Sequence, residues 1–234
     1  MKISILVPTY NEEKNIGKTL ESISAIDKKD WDVEILVIDG GSKDKTKEVA
    51  LSYGVKVLVF EHRGIGYARE MGLESAKGEI VAFTDADTTL PHDWLIRHVG
   101  ALKKPGVVFS FGSFRVKDGS FPYYHFINYL QPIIIWVCHN IFSKPVACGQ
   151  NMAFWKVKAM GVGGFDKNIR VMEDTDLAIR IRMIGKVVYQ GDLIVISSGR
   201  RSKEGWGFFS RMMKSLIEYF LFKKRTLKEF PDYR

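Results

Sequence analysis

Cysteine is scarce in this chain: 234 residues carry only two, Cys138 and Cys148. They form no Cys-x-x-Cys pair and have no histidine at metal-ligand spacing. That excludes a disulfide framework or a zinc cluster and points to a reducing, cytoplasmic setting with two packed thiols. A secretory leader is not expected, because the apolar run Ile3 to Val7 stops at Pro8, too short for the apolar part of a signal peptide. Membrane-length runs are lacking as well. The aromatic-rich stretch from Phe121 to Phe142 is interrupted by His125, Asn128, Gln131, His139 and Asn140. No internal repeat or low-complexity linker divides the sequence, whose length suits one domain with a full core. No nucleic-acid-binding motif accompanies the net charge of +8, so no nucleic-acid partner is expected.

What is present is the composition of a soluble globular protein, 46% apolar and 26% charged. Its basicity is concentrated at the end. From Arg200 to Arg234, ten Lys or Arg face four acidic residues, an excess of six. Phe208, Phe209, Met212, Met213, Leu216, Ile217, Phe220 and Leu221 recur there at near-helical spacing, flanked by Arg211, Lys214, Lys223, Lys224 and Arg225. This pattern predicts an amphipathic tail helix. Its apolar face either lies on an anionic membrane surface or packs against the protein's own core or a second copy.

Residues 1–104 alternate strand and helix. Ile3 to Val7, Glu34 to Ile38, Val55 to Phe60 and Ile80 to Thr84 are short apolar runs bounded by turn signals. Ile16, Leu20 and Ile23 mark one helix. Gly54 and Gly78 sit where helix ends favour a left-handed residue, and Pro91 suits the first turn of a helix carrying Trp94, Leu95, Val99 and Leu102. The alternation predicts an α/β fold with a mostly parallel sheet flanked by helices. In residues 105–201 a strand over Val107 to Val116 precedes a helical stretch broken at Pro132 and a Gly-rich connection, Gly161 to Gly164. A helix with Leu177, Ile181 and Ile184 on one face ends at Gly185. Two short strands follow, Lys186 to Tyr189 and Leu193 to Ser197. The expected division is a catalytic domain over 1–201, its nucleotide-binding half at 1–104, and a basic tail over 202–234.

Two carboxylate clusters carry the chemistry. Asp85-Ala86-Asp87 follows a buried strand, so it projects into the crevice where open α/β sheets bind ligands. Carboxylates one residue apart offer hard oxygens to Mg2+ or Mn2+. Glu173-Asp174-Thr175-Asp176 opens a helix, where acids are favoured by the helix dipole in any case. Asp39-Gly40-Gly41-Ser42 ends another strand. Alone it is a turn, but there Asp39 can accept from a base or ribose while the glycines let backbone approach a ligand.

With these stations in order, the chain from residue 3 to about 201 resembles the inverting family 2 glycosyltransferases of the GT-A fold. Pro8-Thr9-Tyr10-Asn11-Glu12 is similar to that family's opening motif. Asp39-Gly40-Gly41-Ser42 is similar to its base-binding loop, and Asp85-Ala86-Asp87 to its metal motif, with Asp87 as ligand. Gly149-Gln150-Asn151, Gly163-Gly164-Phe165-Asp166 and Glu173-Asp174 resemble the acceptor-side loop and the segment carrying the base. The resemblance implies a nucleotide-sugar donor, a Mg2+ or Mn2+ cofactor, and an acceptor that is a saccharide or lipid-linked group. Asp174, with Glu173 as alternative, is then the general base. Pro8, Thr9, Tyr10, Glu12, Asp39, Gly41, Ser42, Arg69, Asp85 and Ala86 would contact the donor, with Arg200 and Arg201 closing over its diphosphate. Such an enzyme would be cytoplasmic, or peripheral on the inner face of a membrane, and a homo-oligomer stays open.

Three features depart from the pattern. Glu70 stands where Asn is common, the processive members' Gln-x-x-Arg-Trp motif is absent, and no histidine follows His139 to complete a metal site. Gly64-Ile65-Gly66 does not extend to a dinucleotide fingerprint, because Arg69 replaces the third glycine. Two rivals remain. The stretch Val81 to Thr89 also resembles the first motif of haloacid-dehalogenase-like phosphatases with Asp85 as nucleophile, although three strands precede it here. A peripheral membrane-binding module explains the tail but not the carboxylates.

Overall fold

The computed structural model describes residues 1–61, 64–169 and 171–220. Strand β1 (Lys2–Thr9) is buried at every position but the first, as befits a central strand covered on both faces. Helix α1 (Ile16–Ala25) buries Ile16, Thr19, Leu20 and Ile23, the stripe that its sequence spacing predicts. There follow β2 (Asp32–Asp39), α2 (Thr46–Ser52), β3 (Lys56–Val59), α3 (Ile65–Ser75) and β4 (Ile80–Phe83). The four strands lie parallel in the order β3-β2-β1-β4. Their register sets Thr9 beside Asp39 and Leu6 beside Phe83, so the loops leaving β1, β2 and β4 share one edge.

The remaining elements are β5 (Thr88–Thr89), α4 (Trp94–Leu102), β6 (Val107–Val116), α5 (Phe121–His125), α6 (Gln131–Asn140), β7 (Met152–Trp155), α7 (Lys156–Gly161), α8 (Glu173–Arg182), β8 (Lys186–Ser197) and α9 (Trp206–Phe220). They continue the same sheet as β4-β7-β6-β8-β5. Strand β7 is antiparallel to both neighbours, β6 and β8 are parallel, and β5 runs antiparallel on β8. The sheet is therefore mostly parallel, and both halves of the chain share it. One core layer joins Ile3, Ile5 and Val7 to α1 and α4. The opposite layer joins Leu6, Phe83, Phe109 and Phe154 to Leu73 of α3 and to Leu177 and Ile181 of α8. A small third cluster, Val116, Tyr123, Ile127 and Phe208, fastens α9 to the end of β6.

Several local expectations change. Gly54 is left-handed (φ +71°) as expected. Gly78 serves a different need, because a Cβ there would collide with the backbone of Ile3 and Ser4. Pro91 precedes α4, and its carbonyl accepts from the Trp94 amide at 3.1 Å. Pro132 does not break the helical stretch. A π-helical segment, Phe126–Leu130, precedes it and joins α5 to α6, which absorbs the donor that proline lacks. Ile184 is 48% exposed, because α8 has already ended at Arg182. The two expected short strands are one, β8, whose register jumps between Gln190 and Ile194 opposite Gly112 and Ser113. Both cysteines are free. Of the expected tail helix, Leu221, Lys223, Lys224 and Arg225 lie outside the described residues.

Candidate functional site

A cavity of about 350 Å³ opens beyond the carboxyl ends of β1, β2 and β4. Its wall brings together Pro8, Thr9, Tyr10 and Glu12 at and beyond the end of β1, Asp39 at the end of β2, Arg69 on α3, and Asp85, Ala86 and Asp87 after β4. Glu173 and Asp174 of α8 join them, with Arg200 and Arg201 after β8. Gly41 and Ser42 are not part of the wall. Gly41 makes a left-handed turn (φ +78°), and Ser42 donates its hydroxyl to Asp39 Oδ1 at 2.6 Å. The two loops are stitched together. The Asn11 amide donates to Ser42 Oγ (2.8 Å), the Lys43 amide to Asn11 Oδ1 (2.8 Å) and the Glu12 amide to Thr46 Oγ1 (2.6 Å). Ala86 is buried and its carbonyl accepts from Thr19 Oγ1 at 2.8 Å, which fixes the Asp-x-Asp turn on α1.

Two arginines organise the acids. Arg69 is almost wholly buried, its side chain 4% exposed. Its Nη1 lies 2.6 Å from Glu173 Oε1 and 3.7 Å from Asp174 Oδ2, while Nη2 lies 3.1 Å from Asp85 Oδ1. Arg69 thus ties the Asp-x-Asp turn to the start of α8, which leaves it less available to a donor than the sequence suggested. Gly149 packs on its guanidinium, where a Cβ would collide. Arg200 forms the second centre. Its two terminal nitrogens each lie 2.6 Å from a Glu12 oxygen, and Nη2 is 3.0 Å from Asp87 Oδ2.

The acidic run at α8 divides into three roles. Glu173 is locked on Arg69, while Asp174 is the more exposed of the two, 17% against 6%. Burial raises both carboxyls above their ordinary range against the opposing pull of Arg69. Asp176 turns away to accept from Arg180 Nε (2.7 Å) and the Tyr219 hydroxyl (2.9 Å), which pins α9 onto α8. Glu70, the departure from the family pattern, accepts from the Phe165 amide at 2.6 Å and holds the Gly163-Gly164 loop. Asn151 is likewise a pin. Its amide donates to the carbonyls of Ser113 and Leu193, and its oxygen accepts from Trp94 Nε1 at 2.9 Å.

The remaining wall went unread in the sequence. Tyr123, Gln131, Ile134 and Ile135 enter from the helical stretch, and Phe208, Met212 and Leu216 from α9, making one side of the cavity apolar. Tyr123 packs edge-to-face on Phe208, and burial pushes its hydroxyl up to about 12. Aromatic spacing alone signals a helix, not which ring reaches a distant sheet edge. Thr9 Oγ1, Thr175 Oγ1 and Arg69 Nε are buried in this wall with no hydrogen-bond partner among the described residues, so the cavity offers polar atoms to a ligand.

Among the described residues no group of three or more His, Cys, Asp or Glu could hold a metal ion unaided. A divalent ion nevertheless fits at Asp87 if a ligand shares it. Burial pushes this carboxyl up to about 6 against the opposing charge of Arg200, with Asp85 and Glu12 adding negative charge. The charges of Asp85 and Glu12 beside Asp87 are what would attract a cation there, with a ligand's oxygens completing its shell. No helix among the described residues is long and apolar enough to cross a membrane.

Residues 4–157 match the family model described as glycosyl transferase family 2. Glycosyltransferase AglE of Haloferax volcanii is 35% identical over 111 residues, 45% of this chain and 36% of that protein. Human dolichyl-phosphate beta-glucosyltransferase is 35% identical over 100 residues, 37% of this chain and 31% of that protein. The chain thus matches about a third of the length of these relatives. The solved mannosyltransferase PcManGT from Pyrobaculum calidifontis, in complex with GDP-Man and Mn2+, superposes with a TM-score of 0.72 at 24% identity, covering 98% of this chain and 66% of that one.

Proposed function

Because this chain belongs to glycosyl transferase family 2, we propose that it transfers a sugar from a nucleoside-diphosphate donor, with inversion, to an acceptor entering from the apolar side of the cavity. The observation that carries this is one cavity holding both Asp87 and Asp174, wired together through Asp85, Arg69 and Glu173. Asp39, held by Ser42 at the end of β2, suits a ribose or base. Arg200 and Arg201 suit the diphosphate, because a guanidinium makes paired contacts to phosphate oxygens. Asp87 would hold a Mg2+ or Mn2+ ion together with the donor; when bound, the ion neutralises the departing diphosphate. Asp174 takes the proton of the acceptor hydroxyl as it attacks the anomeric carbon from the face opposite the diphosphate. Glu173, committed to Arg69, orients that guanidinium. Asp85, as nucleophile of a phosphatase, has no support from the family match.

The finer assignment is a lipid-linked acceptor at an anionic membrane surface. It rests on the apolar cavity wall built by α6 and α9, and on Ile133 and Trp136 of α6 and Met213 and Ile217 of α9, all exposed. Lys214 adds positive charge on α9, and the human relative's name includes a lipid phosphate. Co-sedimentation with anionic and neutral vesicles across a salt series tests it, and a protein left in the supernatant at low salt rejects it.

The central test is a thermal-shift panel of nucleotides and nucleotide-sugars with and without Mn2+. A ligand at ~100 times its dissociation constant adds ~2.7 kcal/mol. If no nucleotide raises the midpoint with either metal condition, the donor assignment fails. Inversion is read from the anomeric configuration of the product by NMR.

A further inference from the structure

Arg200 already supplies Asp87 with a cation. Its Nη2 is 3.0 Å from Asp87 Oδ2, while both terminal nitrogens are held by Glu12 at 2.6 Å. A guanidinium and a divalent ion at one carboxylate repel each other, so only one can sit there without penalty. Resting on the transferase assignment above, we propose that Arg200 and the divalent ion are alternative partners of Asp87. The ion enters only with a donor diphosphate, which draws the guanidinium off Asp87 and is then clamped by it.

The surroundings permit that exchange as a side-chain movement alone. The backbone leading to Arg200 is fixed on the strand that follows the Asp-x-Asp turn. Thr88 and Ser197 pair across β5 and β8 with their hydroxyls 2.9 Å apart, and the Ser198 amide donates to the Asp87 carbonyl at 3.2 Å. The Gly199 amide donates to Asp118 Oδ1 at 2.8 Å, and a Cβ on Gly199 would collide with Asp118. The Arg200 side chain beyond this anchor is 20% exposed, which leaves it room to turn. Glu12, 3% exposed, is the positioning residue: its two oxygens match the guanidinium fork and keep the cation at the cavity edge in either arrangement. The consequence is obligatory pairing of ion and nucleotide, each strengthening the other to the same degree.

The test measures Mn2+ binding to the full chain by the loss of the free-ion paramagnetic resonance signal, first with the metal alone and then with GDP or UDP added. Wild type should bind Mn2+ weakly alone and much more tightly with a nucleotide. Arg200→Ala, which uncovers Asp87 and Glu12, should bind Mn2+ alone about tenfold or more tightly, and the added substitution Asp87→Ala should erase that gain. Arg200→Lys keeps the charge but not the fork and should bind Mn2+ alone more weakly than Arg200→Ala, which separates the exchange from a general loosening of the fold. Equal metal-only affinity in wild type and a folded Arg200→Ala variant overturns the exchange while leaving the transferase assignment intact. Failure of any nucleotide to bind, with or without Mn2+, defeats that assignment and the exchange with it.

Discussion

Arg69 and Arg200 each neutralise more than one carboxylate, yet they stand in different surroundings. Arg69 touches Asp85, Glu173 and Asp174 from a position 4% exposed, between α3, α8 and Gly149. Arg200 touches Glu12 and Asp87 with a fifth of its side chain in solvent, on a turn between β8 and α9. Around Arg69 the guanidinium and Glu173 are almost wholly buried while Asp174 and Asp85 reach water, so removing the arginine strands Glu173 above all. Around Arg200 the acids are buried, Glu12 at 3% and Asp87 at 12% exposed, but the guanidinium itself reaches water, so it can turn from one partner to another. One centre therefore builds the site, and the other answers to what enters it.

The largest effect should come from Asp174, the more exposed of the two α8 acids on Arg69. Asp174→Asn keeps size and most hydrogen bonding but removes basicity, so transfer should fall by ~10²–10⁴ while donor affinity stays. Near-normal turnover would move the base to Glu173 and erase the distinction drawn between the two.

Next comes Arg69 itself. Arg69→Leu should cost ~3–5 kcal/mol of stability, because Glu173 and its neighbours lose a buried counter-charge. The deficit should depend on pH. Glu173 and Asp174 have raised folded pKa values, so their contribution is favourable at low pH and is lost as pH rises through those values. Thermal unfolding should therefore show a smaller gap to wild type at pH 5 than at pH 8. A pH-independent gap would mean that packing against Gly149 and Phe83, not charge, is what Arg69 supplies.

Arg200→Leu should cost less, about 2–3 kcal/mol, because the guanidinium is partly solvated although Glu12 and Asp87 beneath it are buried. A loss as large as that at Arg69 would abolish the comparison and make Arg200 a structural residue.

The smallest effect is expected at the joint between α8 and α9. Tyr219→Phe removes the bond to Asp176 Oδ1 and should lower stability by ~0.5–1.5 kcal/mol. Denaturant midpoints suffice to read it. No change would mean that Phe208 and its cluster alone hold α9 against the domain.

The alternation of apolar runs and turn residues over 1–104 was sufficient to predict β1 to β4 and α1, because each follows a local period, whereas α3 buries Arg69 and Glu70 and shows no apolar stripe. The opening motif, the Asp-x-Asp turn and the acidic run at α8 were also visible, and their order along the chain identified the family. Sequence spacing could not tell which acids cooperate. Asp176 looked like an ordinary helix-start acid, but it anchors α9; Ser42 looked like a ligand contact, but it holds Asp39. Glu70, a departure from pattern, proved to be a backbone clamp. These roles depend on partners tens to more than a hundred residues away, brought together by sheet order and helix packing. Local sequence determined the elements and the chemistry on offer; tertiary structure decided which charges meet, and burial decided which of those meetings are permanent.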